Sequence, residues 1–408
     1  MLIKKITLTE ENNPNYLCYI VKIDNLRNHS NADKLKITQI FHNNIIVSKD
    51  LSIGDIGIYF PLECSINKEF LSDNNLFKNK ELNKDNNICG FFEENCRVKA
   101  LKLRGEKSMG FFIPCEINSS DLLNKPFNKI DLYEDVLLSK YEKEEIVLNS
   151  NKNNKNNKIP KKDTVLLNQF NFHYDTLNIG NNVSILKFND DITISQKLHG
   201  TSVILGYLLS KRSLNWFEKI LSKFKIKIEK TIYKHIYSSR KKLFNTEELY
   251  KIALEENKSS LQKGITLYGE IVGYYPDGKQ IQKGYKYNCL EKEHKLFIYR
   301  ITYTNIDGFT FDFNQDQLTK YCENNSLNTV PILYKGKINE FLSLKKEPKD
   351  LHNIFLEKVK EKFPHYNLEE GVPNEGVIVR IDYPFKTNAL KYKTFEFLLN
   401  ETNSLNEN

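Results

Sequence analysis

The stretch Ile192-Thr193-Ile194-Ser195-Gln196-Lys197-Leu198-His199-Gly200-Thr201-Ser202-Val203-Ile204-Leu205-Gly206-Tyr207-Leu208-Leu209 decides how this chain is read. Residues 192–197 and 203–209 are apolar and β-branched enough to form two strands, and Gly200 marks a tight turn between them. Lys197 therefore stands at a strand end, just before the turn. Lysines are mostly exposed, so a single lysine in that place is ordinary surface decoration.

Three further segments lie downstream. Leu267-Tyr268-Gly269-Glu270-Ile271-Val272-Gly273 places a carboxylate inside an apolar β run. Burying a carboxylate is costly unless a cation or a metal meets it, and a strand-edge glutamate is the plainer alternative. Asn374-Glu375-Gly376-Val377-Ile378-Val379-Arg380 repeats the theme at the mouth of a β-branched strand, where a polar turn is the plainer alternative. Ala389-Leu390-Lys391-Tyr392-Lys393 puts two lysines on one strand face, because side chains alternate with period two. Such a pair is either a solvated face or an anion site, since crowded like charges repel. Each segment is weak alone.

Together and in this order they resemble the covalent nucleotidyltransferases, the group of ATP-dependent RNA ligases, DNA ligases and mRNA capping enzymes. In that resemblance Lys197 is the motif I nucleophile and Ser239-Arg240 matches motif Ia. Glu270 is the motif III acid, Phe297-Ile298-Tyr299-Arg300 falls at motif IIIa, Glu375 is motif IV, and Lys391 with Lys393 is motif V. The finer similarity is to ATP-dependent RNA ligases that carry an OB-like module ahead of the catalytic domain. It rests on Lys197-Leu198-His199-Gly200-Thr201-Ser202 and on Ile281-Gln282-Lys283-Gly284-Tyr285 after motif III. It rests too on Gly54-Asp55, Leu103-Arg104-Gly105 and Met109-Gly110-Phe111-Phe112-Ile113-Pro114 near the amino terminus. Two departures stand out: many relatives have Asp at the position of His199, and 211–237 reads as an insertion without an assigned role.

The resemblance implies attack of the Lys197 amine on the α-phosphate of ATP, giving lysyl-AMP, with Lys391 and Lys393 completing the catalytic set. A free lysine has a pKa of about 10.4 and is inert at neutral pH unless cations or desolvation lower it. The implied ATP site comprises Lys197, Gly200, Arg240, Glu270, Phe297, Glu375, Lys391 and Lys393, with Phe297 stacking on adenine and Arg240 near the ribose or the acceptor end. Glu270 and Glu375 are the implied ligands of Mg²⁺ or Mn²⁺, being hard oxygen donors. AMP would then pass to an RNA 5′-phosphate, and a 3′-hydroxyl would displace it.

The amino-terminal stretch 16–117 reads as short strands between turns, with no strong helix. Even spacing of such strands suggests a small β-barrel, of which the OB fold is one form. Arg97, Lys99, Lys102 and Arg104 alternate with apolar residues and offer one charged face for a nucleic-acid backbone; structural support alone is the plainer role. The Asn/Lys tract 149–158 has no apolar periodicity and reads as a disordered linker or loop tip. The expected organisation is α+β: an OB-like barrel over 1–120, a linker over 121–165, and a nucleotidyltransferase domain over 166–408 with ATP-grasp-like antiparallel sheets and helices. In the last, 216–237 carries Phe217, Ile220, Leu221, Phe224, Ile228 and Ile232 at helical spacing. His173 reads as a structural histidine.

Composition sets the outer limits. The chain has 408 residues with 60 Lys+Arg against 52 Asp+Glu, a net charge of +8 that admits a polyanionic partner without demanding one. A hydrophobic share of 40% rules out disorder over most of the length. No apolar run approaches the roughly 20 residues of a membrane span, and the first residues lack a secretory signal. The odd count of seven cysteines, without a CxxC pair, fits reduced thiols in the cytoplasm.

The expectation is thus a monomeric, cytoplasmic ATP-dependent RNA ligase, acting on RNA ends in repair. The rivals are a DNA ligase, a GTP-dependent capping enzyme, and an inactive nucleic-acid-binding protein. The first two typically carry their OB domain after motif V, where this sequence ends; the third is disfavoured by the intact charged motifs.

Overall fold

The computed structural model describes residues 1–10, 13–142, 165–173, 175–224, 228–245, 247–362 and 372–406. The Asn/Lys tract 149–158 lies outside them. The chain divides into two compact units, one drawn from Met1–Ile146, Leu177–Ile185 and Lys393–Asn408, the other from Val147–Thr176 and Leu186–Tyr392. Both chain ends thus belong to the first unit, whereas the sequence pattern assigns everything beyond 166 to one catalytic domain. Residues 126–140, expected in the linker, hold the short strands Pro126–Phe127, Lys129–Ile130 and Leu138–Lys140.

The first unit is a set of small, mostly antiparallel sheets. Phe111–Pro114, Ile56–Phe60, Cys18–Lys22 and Pro126–Phe127 lie side by side in that order. Arg27–Asn28, Leu35–Ile40 and Asn43–Ser48 make a second sheet, and Ala100–Leu103 with Glu106–Met109 a separate hairpin. Among the described residues no sheet closes into a barrel. Ile20, Ile58, Phe60, Phe70, Phe127 and Leu137 are fully buried at its centre. Phe70 belongs to a helix that the sequence pattern does not announce, Lys68–Asp73, whose first turn is capped by the Asn67 side chain. Of the expected charged face, Lys102 and Arg104 are exposed, Lys99 is half-buried and Arg97 is withdrawn from solvent. Arg97 is buried, because Glu401 of the helix Phe395–Asn406 takes its guanidinium at 3.1 Å.

The second unit is built on two antiparallel sheets. In one, Lys386–Lys393, Gly376–Tyr383, Asp191–Lys197 and Ile332–Lys337 are neighbours in that order. In the other the order is Thr231–Ser239, Thr201–Lys211, Ile265–Gly273, His294–Thr304 and Thr310–Asp312. The chain leaves the first sheet after Lys197 and enters the second at Thr201, so residues 198–200 join them. Helix Glu248–Asn257 buries Leu249, Tyr250, Ala253 and Leu254, which pack with Leu205, Leu267, Ile271 and Ile298.

The helix expected over 216–237 is two elements. Trp216–Lys223 is helical, started by an Asn215/Glu218 capping box, and Thr231–Ser239 is a strand along Thr201–Lys211. Ile228 and Ile232 continue the helical spacing in sequence. The long partner strand nevertheless offers 231–239 a full ladder of backbone hydrogen bonds, and tertiary pairing overrides the local pattern. Among the described residues no helix is long and apolar enough to cross a membrane.

Candidate active site

The turn after Lys197 is shaped by a glycine that cannot be replaced freely. A Cβ on Gly200 would lie 2.2 Å from the Ile271 carbonyl oxygen and 3.0 Å from Glu270 Cγ. The bare backbone therefore passes close over the strand that bears Glu270, and the Gly200 N–H donates to Glu270 Oε1 at 3.1 Å. Antiparallel pairing sets Ser202 directly across from Glu270, and Ser202 Oγ donates to Glu270 Oε2 at 3.0 Å. Phe297 is the cross-strand partner of Glu270 on its other side, which puts the ring on the same sheet face as the carboxylate. Glu270 is the one half-exposed position in a strand otherwise buried throughout. Burial pushes its carboxyl pKa up; the Lys197 charge opposes this, and the Glu375 charge adds to it.

Glu375 comes from the other sheet. Register pairs Lys197 with Gly376, so the residue just before Gly376 falls beside the lysine. Lys197 Nζ stands 2.7 Å from Glu375 Oε1, and His199 Nδ1 is 3.6 Å from Oε2. Glu375 is only 4% exposed, so this carboxylate is desolvated and its pairing with the amine matters. The site is thus a lysine amine with one carboxylate from each sheet.

A tyrosine-bearing segment braces the turn from above. Tyr287 OH accepts the His199 N–H at 2.7 Å, Gln282 Nε2 donates to the Gly200 carbonyl at 2.8 Å, and the His199 ring lies edge-on to Tyr285 at 4.8 Å. Tyr285 OH also donates to the Pro373 carbonyl, two residues before Glu375, at 2.8 Å. One segment therefore fixes both the turn and the approach to Glu375. Sequence reasoning singles out 281–285 without giving it a task and passes over Tyr287. The Tyr285/Tyr287 spacing is the available signal.

Arg240 follows the strand Thr231–Ser239 and pairs with Asp175. Burial and then the charges of Arg300, Arg240 and Lys197 push His173 down to about 3, so that imidazole is neutral at working pH. It packs against Tyr299 at 5.2 Å and Tyr268 at 6.0 Å. Arg300 lies 4.7 Å from the Tyr268 ring and donates to Asp312 at 2.6 Å. Lys391 is half-buried in the strand Lys386–Lys393. Lys393, at the end of that strand, belongs to the first unit, where its amine meets Glu63 Oε1 at 2.6 Å.

Among the described residues no three His, Cys, Asp or Glu side chains gather as a ready-made metal cage. Two carboxylates close enough for their charges to act on each other fit a hard cation of the Mg²⁺ type, which takes one or two protein carboxylates and completes its shell with water and phosphate oxygens.

A half-buried lysine paired with a buried carboxylate at the join of two antiparallel sheets, with a second carboxylate beside it, is the arrangement a lysine-dependent nucleotidyltransferase needs. The chain belongs to the RNA ligase family, whose model matches residues 190–393, half of its length. No curated protein matches it. Among solved structures it is similar to Naegleria gruberi RNA ligase in several states. A lysine-to-methionine mutant with AMP and Mn shows TM-score 0.57 at 14% identity, over 94% of this chain and 98% of that one. A lysine-to-alanine mutant with ATP and Mn gives the same values. The complex with PPi gives 0.55 at 14%, over 95% and 99%. At such identity the likeness is one of fold.

Proposed function

We propose that this RNA ligase uses ATP and carries the adenylyl group on Lys197, with an OB-like module as its amino-terminal unit. The observation that carries the reading is the Lys197–Glu375 pair at 2.7 Å, set beside Glu270 by the turn through Gly200. The Naegleria enzyme with ATP or AMP and Mn, similar over nearly the whole length, supports the choice of nucleotide.

In the first step the lone pair of Lys197 Nζ attacks the α-phosphorus of ATP. The N–P bond forms, the bond to the β-phosphate oxygen breaks, pyrophosphate leaves with that electron pair, and the nitrogen gives up its extra proton to solvent. An oxygen of an RNA 5′-phosphate next attacks the same phosphorus, the N–P bond breaks, and AMP caps the RNA end. A 3′-hydroxyl then attacks the 5′-phosphate, loses its proton to solvent, and releases AMP.

Glu375 positions the Lys197 amine, which must give up a proton before its lone pair can attack. Glu270, fixed by Ser202 Oγ and Gly200 N–H, keeps its orientation whatever Glu375 does. Glu270 and Glu375 would hold Mg²⁺ or Mn²⁺, which when bound neutralises phosphate charge. Phe297, on the same face as Glu270, would stack on adenine, and Arg240 would meet the ribose or the RNA end. Lys391 supplies positive charge from the neighbouring strand. The free thiols of all seven cysteines fit a reducing compartment.

The test is covalent labelling. Full-length protein incubated with α-labelled ATP and Mn²⁺ should retain label, GTP should not substitute, and Lys197→Ala should retain none. Label on that variant would overturn the assignment. Nicked duplexes with RNA or DNA on the 3′-hydroxyl side should be sealed unequally; equal sealing would undo the preference for RNA.

A further inference from the structure

Outside this site, the first unit contains a hollow of about 200 Å³ whose lining includes Lys78, Phe91, Glu93, Arg97, Lys99 and Lys102. Four cations thus face one space with a single carboxylate among them, and that carboxylate is engaged by Lys78 at 2.5 Å. Arg97 is only 7% exposed. Its Nη2 reaches Glu401 at 3.1 Å and its Cζ lies 4.9 Å from the Tyr141 ring, yet Nε and Nη1 meet no hydrogen-bond partner among the described residues.

A guanidinium cannot shed its charge, so buried N–H groups without an acceptor carry a standing desolvation cost. Packing of the fold alone gives no reason to gather three lysines around them. Burial, then the neighbouring Arg97 and Lys78 charges, lower the Lys99 amine against the opposing pull of Glu93. A phosphate answers both needs, because its oxygens accept from the guanidinium in a fork and offset the lysine charges. At the rim Phe91 is 42% exposed and is held in place by Phe92 and Phe111, at 4.4 and 5.2 Å between ring centroids. A fixed, open ring beside a basic pocket is how single-stranded nucleic acid is held without sequence readout.

We propose that this hollow binds one backbone phosphate of the RNA strand against Arg97, Lys99 and Lys102, with the adjoining base stacked on Phe91. The assignment to RNA rests on the ligase reading above.

The test is fluorescence anisotropy of the full-length protein with a labelled single-stranded RNA, titrated at several salt concentrations. The Lys99→Ala/Lys102→Ala double variant should bind about tenfold more weakly, and its slope of log affinity against log salt should fall by about 0.7, as expected when one phosphate is no longer neutralised. Phe91→Ala should weaken binding about fivefold or more with an unchanged salt slope. Arg97→Lys, which keeps a charge for Glu401, should weaken binding while the protein still folds. Affinity and slope equal to wild type in the double variant would overturn the proposal. So would displacement of the RNA by inorganic phosphate at matching concentration, which would mark a free-anion pocket. Labelling with ATP should stay at the wild-type level in all these variants. If the lysine pair lost labelling too, the hollow would serve the fold and the proposal would fall; a wild type without labelling would instead undo the ligase reading.

Discussion

Glu375 and Glu270 reach the same turn from different sheets and meet opposite surroundings. Glu375 is buried and balanced by full charge, the Lys197 ammonium at 2.7 Å. Glu270 is half-exposed and held by two neutral donors, the Ser202 hydroxyl and the Gly200 N–H. Neutral donors fix an orientation without settling the charge, and burial still lifts the Glu270 pKa. A charged partner settles the charge and makes the two groups interdependent. Glu375 therefore positions Lys197, and Glu270 is a standing feature of the site.

The sharpest break of this comparison is Glu375→Gln. It removes the carboxylate that positions the amine, and adenylylation measured by retained label should fall about 10³-fold. Gly200→Ala comes next. Its new Cβ would lie 2.2 Å from a backbone oxygen that cannot rotate aside, so the turn must shift and carry Lys197 with it. A displacement near 1 Å costs about 10²-fold in rate, and the same assay reads it. Glu270→Gln keeps one oxygen that can still accept from the Gly200 N–H or face a cation, so it should cost only about tenfold. Equal losses at 270 and 375 would erase the distinction between them.

What the sequence reveals of this site follows the same division. Lys197, Glu270 and Glu375 stand out because each interrupts a β run with a charge, but each is weak alone and only their order and the resemblance it carries join them into one site. Tyr287 does not, because it reaches His199 across 88 positions and nothing near it marks the pairing. Arg97 misleads for a similar reason. Alternation suggests an open face, while the partner that buries it, Glu401, lies 304 positions away. The strand Thr231–Ser239 reads as helix because Ile228 and Ile232 keep a helical spacing, and only the ladder along Thr201–Lys211 decides otherwise. The small sheets of the first unit carry few residues per strand, so periodicity locates them without determining whether they close.

The mildest test concerns the neutral donor that distinguishes Glu270. Between the ordinary carboxylate pKa and its raised folded value, the native protein binds more protons at Glu270 than the unfolded chain does. Stability at this position therefore falls as pH rises through that window and is fully lost above it. Ser202 Oγ donates to the ionised form and holds the pKa down, so Ser202→Ala should lift it further and extend the window upward. Adenylylation should drop only about threefold at neutral pH, within the roughly 0.5–1.5 kcal/mol of a typical hydrogen bond, and its acid limb should move to higher pH. Calorimetric Tm values followed upward from the ordinary carboxylate range should fall over a wider span of pH in Ser202→Ala than in wild type, and this contribution should vanish in Glu270→Gln. An acid limb that stays in place in Ser202→Ala would mean that the serine merely fills space beside Glu270 and that burial alone sets the carboxyl.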